Sequence, residues 1–84
     1  MRILVVEDEK KVSAFIKKGL EEETYAVDIA VDGEEGLLFG EQNQYDLIIL
    51  DLMLPKIDGL EVLSTLRDQK IETPILLLTA KDSV

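Results

Sequence analysis

The sequence predicts an α/β fold: a parallel β-sheet with helices packed on both of its faces. Three observations predict it. Two apolar runs, Ile3–Val6 and Leu47–Leu50, each close on an acid, the pattern of strands buried on both faces. Stretches with helical spacing of apolar residues separate these runs from two further strand-like segments, so that strands and helices alternate along the chain. The 84 residues, 46% of them apolar, suffice for one small packed domain.

Taken in order, Ile3–Val6 is a strand that stops at Glu7-Asp8-Glu9. In the helix that follows, Val12, Phe15, Ile16, Gly19 and Leu20 recur at i, i+3, i+4, i+7 and i+8 and define the face expected to be buried, with Lys10, Lys11, Lys17 and Lys18 opposite. Gly19 costs a helix about 1 kcal/mol relative to Ala, and close packing on the sheet is the expected return. Residues 25–30 alternate, with Val27 and Ile29 flanking Asp28, as in a half-exposed or edge strand. Asp32 followed by Glu35 is a helix start, and that helix is expected to reach Gln42 with a small inward face of Gly36, Leu37 and Gly40. Leu47–Leu50 ends in Asp51. A loop broken by Pro55 and Gly59 follows, in which Lys56 reads as a solvated charge. Asp58 and Glu61 repeat the capping pattern ahead of a helix carrying Val62, Leu63 and Leu66 to about Asp68. Pro74 opens the last strand, Ile75–Leu78, which runs into Thr79-Ala80.

Composition narrows the chemistry. With 18 acidic and 9 basic residues the net charge is −9, which disfavours nucleic acid and anionic lipid as direct partners. The absence of Cys and His removes disulfides, thiolate or imidazole metal sites, and Ser–His or Cys–His nucleophiles. No apolar run approaches the roughly 18 residues of a membrane span, and the N-terminal run meets two acids too early for a signal peptide, so a cytoplasmic location is the expectation. Neither glycine-rich phosphate-binding motif of nucleotide sites is present.

In parallel open sheets, ligands bind beyond the carboxyl ends of the strands. Glu7 and Asp8 lie there after the first strand, Asp51 after the third and Thr79 after the fourth. Acids in such positions commonly do no more than cap the next helix, and a lone Thr is commonly a turn residue. Their coincidence at one sheet edge is more specific. Three converging carboxylates repel and raise one another's pKa, and an all-oxygen donor set selects a hard divalent cation such as Mg²⁺. Asp8 and Asp51 are expected as direct ligands and Glu7 as a direct or water-mediated one, with the Met53 backbone carbonyl best placed to complete the set. A carboxylate in this setting is also a nucleophile towards phosphorus, which makes Asp51 the candidate phosphoacceptor. The Thr79 hydroxyl can then donate to a phosphate oxygen and draw the following loop inward.

These residues resemble a known family. The segments Ile3-Leu4-Val5-Val6-Glu7-Asp8-Glu9, Asp46 to Pro55 with Asp58-Gly59, and Pro74-Ile75-Leu76-Leu77-Leu78-Thr79-Ala80 are similar to the receiver domain of bacterial two-component response regulators. The wording is most similar to the subfamily whose members carry a C-terminal winged-helix DNA-binding domain and regulate transcription. The resemblance implies a flavodoxin-like three-layer sandwich with strand order 2-1-3-4-5. It implies phosphorylation of Asp51 by a sensor histidine kinase, Mg²⁺ held by Glu7, Asp8, Asp51 and the Met53 carbonyl, and Thr79 as the switch hydroxyl.

Against that family the chain reads as the first two-thirds of a receiver, residues 1–84, with sheet order 2-1-3-4 and without the fifth strand and the last two helices. The family's Lys at the end of the fifth strand is then lacking, and Lys81 comes too early to replace it. Loss of such a donor costs about 10²–10³ in rate by analogy with other preorganised donors. Ile75–Leu78 is expected as an apolar sheet edge prone to self-association, and DNA contact is expected only through a C-terminal domain outside these residues. Two other readings compete. One is a non-phosphorylatable interaction or scaffold fragment. The other is a phosphohydrolase of the haloacid dehalogenase type, disfavoured because that chemistry needs an acid where Met53 stands.

Overall fold

The computed structural model describes residues 1–78. Four strands, β1 (Arg2–Val6), β2 (Ala26–Ala30), β3 (Leu47–Asp51) and β4 (Ile75–Leu78), alternate with three helices, α1 (Lys10–Glu22), α2 (Gly33–Gln42) and α3 (Gly59–Asp68). The strands form one parallel sheet in the order β2-β1-β3-β4, as expected. Among the described residues no helix is long and apolar enough to cross a membrane.

Alternation along the strands sends side chains to two cores. Leu4 and Val6 of β1 with Ile48 and Leu50 of β3 meet Val62 and Leu66 of α3, with Leu37 and Phe39 of α2 alongside. Ile3, Val5, Val27 and Ile49 fill the other face against Ile16 and Leu20 of α1. The buried runs of β1 and β3 are therefore continuous because both faces are used. Two caps stand where the sequence placed them: Asp32 accepts from the Glu35 N–H at 2.8 Å and Asp58 from the Glu61 N–H at 3.0 Å. At the β2 edge, the buried Tyr45 donates its hydroxyl to Asp28 at 2.7 Å, and Arg2 donates to the same carboxylate oxygen at 3.0 Å. These two bonds, Tyr45 first, hold the Asp28 pKa below its ordinary value, while burial and Asp28 push the Tyr45 pKa up to about 12.

One helix face departs from expectation. The side of α1 that meets the sheet is Ser13, Ile16, Lys17 and Leu20, one residue out of step with the apolar count. Ser13 is buried, whereas Phe15 is 80% exposed and a Cβ on Gly19 would touch nothing within 4 Å. The expected close packing at Gly19 is therefore not present. A small side chain suits the close approach of helix to strand, and the bulkier Val12 and Phe15 lie on a side where α1 meets no other element among the described residues. Among the described residues β4 is the other sheet edge, and its Leu76, which is level with Ile49 on the α1 side of the sheet, is 53% exposed because α1 does not extend over it.

The α3 entry is fitted tightly to the end of β3. The Gly59 N–H donates to the Leu52 carbonyl at 3.0 Å, and a Cβ on Gly59 would lie 2.4 Å from the Asp51 carbonyl oxygen and 2.7 Å from Leu52 Cα. Both obstacles are backbone, so Gly59→Ala must push α3 away from β3. A net loss of about 1–3 kcal/mol is expected from this overpacking, in spite of the better helix propensity of Ala. Urea denaturation of the variant reads it directly.

Candidate functional site

Register places the acids. Val6 of β1 pairs with Leu50 of β3, so the next residues, Glu7 and Asp51, leave the sheet side by side. Asp51 in turn is level with Leu78 of β4. Pleat parity points Glu7 and Asp51 to the α1 face, along with Ile3, Val5, Leu47 and Ile49. Among the described residues that face carries a single helix, so the sheet end beyond β3 and β4 is open there. A cleft of about 560 Å³ results, walled by Val12, Met53 and Leu78 around the three acids.

One carboxylate oxygen each from Glu7, Asp8 and Asp51 lies within 4.8 Å of the other two. Glu7 is 5% exposed, Asp51 7%, and Asp8 is open to solvent. The N-cap of α1 is Glu9, ahead of Lys10, and its side chain makes no cap hydrogen bond, so neither Glu7 nor Asp8 stands in the N-cap position. Instead Glu7 Oε2 accepts from the Glu9 N–H at 3.0 Å, and Asp51 Oδ1 accepts from the Met53 N–H at 3.1 Å. Each buried carboxylate is thus oriented by the amide two residues on. Met53 itself is 63% exposed, its side chain on the cleft rim. Thr79, the fourth residue expected at this edge, lies outside the described residues.

The cluster is electrostatically costly. Burial pushes the Glu7 pKa above its ordinary 4.5, the Glu9 N–H opposes that, and the charges of Asp51 and Asp8 and a hydrogen bond with Asp51 push it further up. A cation takes away the like-charge part of this penalty, and a donor set of carboxylate oxygens without nitrogen or sulfur fits a hard divalent ion.

The shift has a pH consequence. A carboxyl whose pKa is raised by folding binds its proton more tightly in the fold, so its contribution to stability is complete below 4.5 and is lost as pH rises through the raised value. Asp28 and Asp32, both held below their ordinary 3.8, contribute above 3.8 and lose that contribution as pH falls through their lowered values. The two windows do not overlap. The urea midpoint of metal-free protein should therefore rise as pH falls from about 7 towards about 4.5 before acid loss begins. In Glu7→Gln the part of that rise due to Glu7 should vanish.

Sequence reasoning missed Lys56. Although exposed, it is not free: its Nζ lies 3.5 Å from Asp32 Oδ2 and 3.4 Å from Glu34 Oε1, and its backbone is left-handed at φ 69°. No local pattern signals a pairing across more than 20 residues.

Comparison with known proteins agrees with this geometry. The family model described as response regulator receiver domain matches residues 3–84. The transcriptional regulatory protein PcoR of Escherichia coli is 51% identical over 83 residues, which are 99% of this chain and 37% of that protein. The alkaline phosphatase synthesis transcriptional regulatory protein PhoP of Bacillus subtilis is 52% identical over 81 residues, 96% of this chain and 34% of that protein. The chain thus spans about a third of the length of the curated relatives it matches. Among solved structures, the receiver domain of Francisella response regulator 1452 superposes with a TM-score of 0.92 at 42% identity, over 99% of this chain and 69% of that one. The response regulator TrrA of Thermotoga maritima, in complex with Mg²⁺-BeF, gives a TM-score of 0.89 at 46% identity, over 96% of this chain and 70% of that one.

Proposed function

Because the chain belongs to the response regulator receiver domain family, we propose that it is the phosphoacceptor module of a two-component phosphorelay, with Asp51 receiving the phosphoryl group of a sensor histidine kinase. The observation that carries this reading is the convergence of Glu7, Asp8 and Asp51 within 4.8 Å at the carboxyl edge of the sheet. Residues 1–84 correspond to about the first two-thirds of a receiver domain, and we assign neither transcriptional output nor DNA contact to these residues.

Glu7, Asp8, Asp51 and the Met53 carbonyl would hold Mg²⁺. When bound, the ion offsets carboxylate charge and the charge of the transferring phosphoryl oxygens. The chain's own residues do the rest. Met53 N–H holds Asp51 Oδ1, which leaves its other oxygen as the proposed nucleophile. That oxygen forms the new bond to phosphorus while the bond from phosphorus to the donor breaks and its electron pair leaves with the donor. Glu9 N–H holds Glu7 in a fixed orientation beside it. Thr79 is proposed to donate its hydroxyl to the phosphoryl group once transferred.

Acetyl phosphate with Mg²⁺ tests the proposal. One phosphoryl group per chain, labile to hydroxylamine as an acyl phosphate is, is expected, and chelation should abolish it. Absence of both labelling and Mg²⁺ binding would overturn the reading and favour a scaffold role. The β4 edge adds a partner proposal: with no strand beside it among the described residues and with Leu76 exposed, β4 offers a strand edge for a second copy of the chain. Sedimentation showing only monomer at high concentration would rule that out.

A further inference from the structure

Residues 30–34, from the end of β2 into the first turn of α2, contribute no carboxylate to the cluster yet touch both turns that carry it. On one side the Glu7 N–H donates to the Ala30 carbonyl at 3.0 Å. On the other, the Gly33 N–H reaches the Pro55 carbonyl at 3.5 Å, and a Cβ on Gly33 would fall 2.0 Å from the Ile57 carbonyl oxygen. This contact leaves no room for any side chain but glycine's. Asp32 divides its two oxygens: Oδ1 caps α2, and Oδ2 faces the Lys56 ammonium at 3.5 Å. Glu34 closes on the same ammonium from the first turn of α2 at 3.4 Å. Lys56 meets both acids from a left-handed backbone, which L side chains disfavour.

We propose that Lys56 is a positioning residue for the acidic site: clamped between Asp32 and Glu34, it fixes residues 52–58 against residues 30–34 and so keeps Asp51 and Met53 opposite Glu7 and Asp8. The inference rests on the reading of that cluster as a Mg²⁺ and phosphoryl site. Its sign separates it from a plain charge effect. Were Lys56 only a nearby positive charge, removing it would deepen the negative potential and tighten cation binding. A positioning role requires the opposite.

Calorimetric titration of the 84-residue chain with Mg²⁺ at fixed ionic strength decides between the two. Lys56→Gln should weaken binding about threefold to fivefold, the range an exposed ion-pair network supports. Lys56→Arg, which keeps a cation within reach of both acids, should stay within about twofold of the native chain. Asp32→Asn with Glu34→Gln, which keeps the cap acceptor, should match Lys56→Gln, and combining all three should add little. In metal-free protein, amide exchange at Ile57 and Gly59 should quicken in Lys56→Gln and return to native rates in Lys56→Arg. Unchanged or tighter Mg²⁺ binding in Lys56→Gln, or unchanged exchange, overturns the proposal. If the native chain binds no Mg²⁺, the metal reading fails by itself, and the exchange rates alone then support or overturn the clamp.

Discussion

Asp51→Asn should take up no phosphoryl group from acetyl phosphate, a fall of at least about 10³-fold, because an amide offers no nucleophilic oxygen to phosphorus. The fold should survive. Asparagine retains the oxygen that accepts from the Met53 N–H, and the substitution removes one of the like charges that push Glu7 up. The variant's melting temperature near neutral pH should therefore equal or exceed that of the native chain. Loss of labelling without loss of stability excludes a merely structural acid, and its persistence in excess Mg²⁺ separates a nucleophile from a metal ligand. Asp8→Asn is the companion measurement. Asp8 is exposed and leaves the nucleophile intact, so its defect should be one of Mg²⁺ affinity, and excess Mg²⁺ should recover much of the rate. If Asp51→Asn labels as well as the native chain, the phosphoacceptor is another residue and the assignment of the cleft fails with it.

How far this site could be read before the structure depends on the residue. Glu7 and Asp51 were legible because each ends an apolar run long enough to be a doubly buried strand, and parallel strands deliver their last residues to one edge. The caps at Asp32 and Asp58 were legible because their chemistry is local, three residues from donor to acceptor. Strand order is not encoded in any periodicity, and it came from the family's motifs alone. The buried side of α1 was read one residue out of step. The apolar count gives weight to Val12 and Phe15, while the sheet accepts Ser13 because it is small. Lys56 was opaque for a different reason. Its two partners lie in another turn, and a left-handed backbone is foreshadowed by Gly or Asn rather than by Lys.

Leu66→Ala should be the most destabilising of these substitutions, at about 2–5 kcal/mol. Leu66 is fully buried among Leu4, Val6, Ile48, Leu50 and Val62, and it is where α3 meets α2. At typical stabilities per residue, a chain of 84 residues has roughly 4–13 kcal/mol in total, so the variant should be substantially unfolded by mild urea. Gly40 provides the control. A Cβ there would lie 3.2 Å from Leu66 Cδ2, a flexible methyl that can yield. Alone, Gly40→Ala should be near neutral, its helix-propensity gain of about 1 kcal/mol offset by that crowding. With Leu66→Ala the crowding disappears and the new methyl fills part of the cavity, so the double variant should recover about 0.5–3 kcal/mol relative to the sum of the single changes. The core on this face also sets the register that brings Asp51 beside Glu7, which gives the functional readout a distinct form. Leu66→Ala should lower the fraction of chains that can be labelled while the folded ones react at the native rate. Mg²⁺, which binds the folded state, should raise that fraction again by mass action. Asp51→Asn has no such recovery. A Leu66→Ala chain that labels fully but slowly would mean that this core shapes the cleft itself and does not only maintain the fold beneath it.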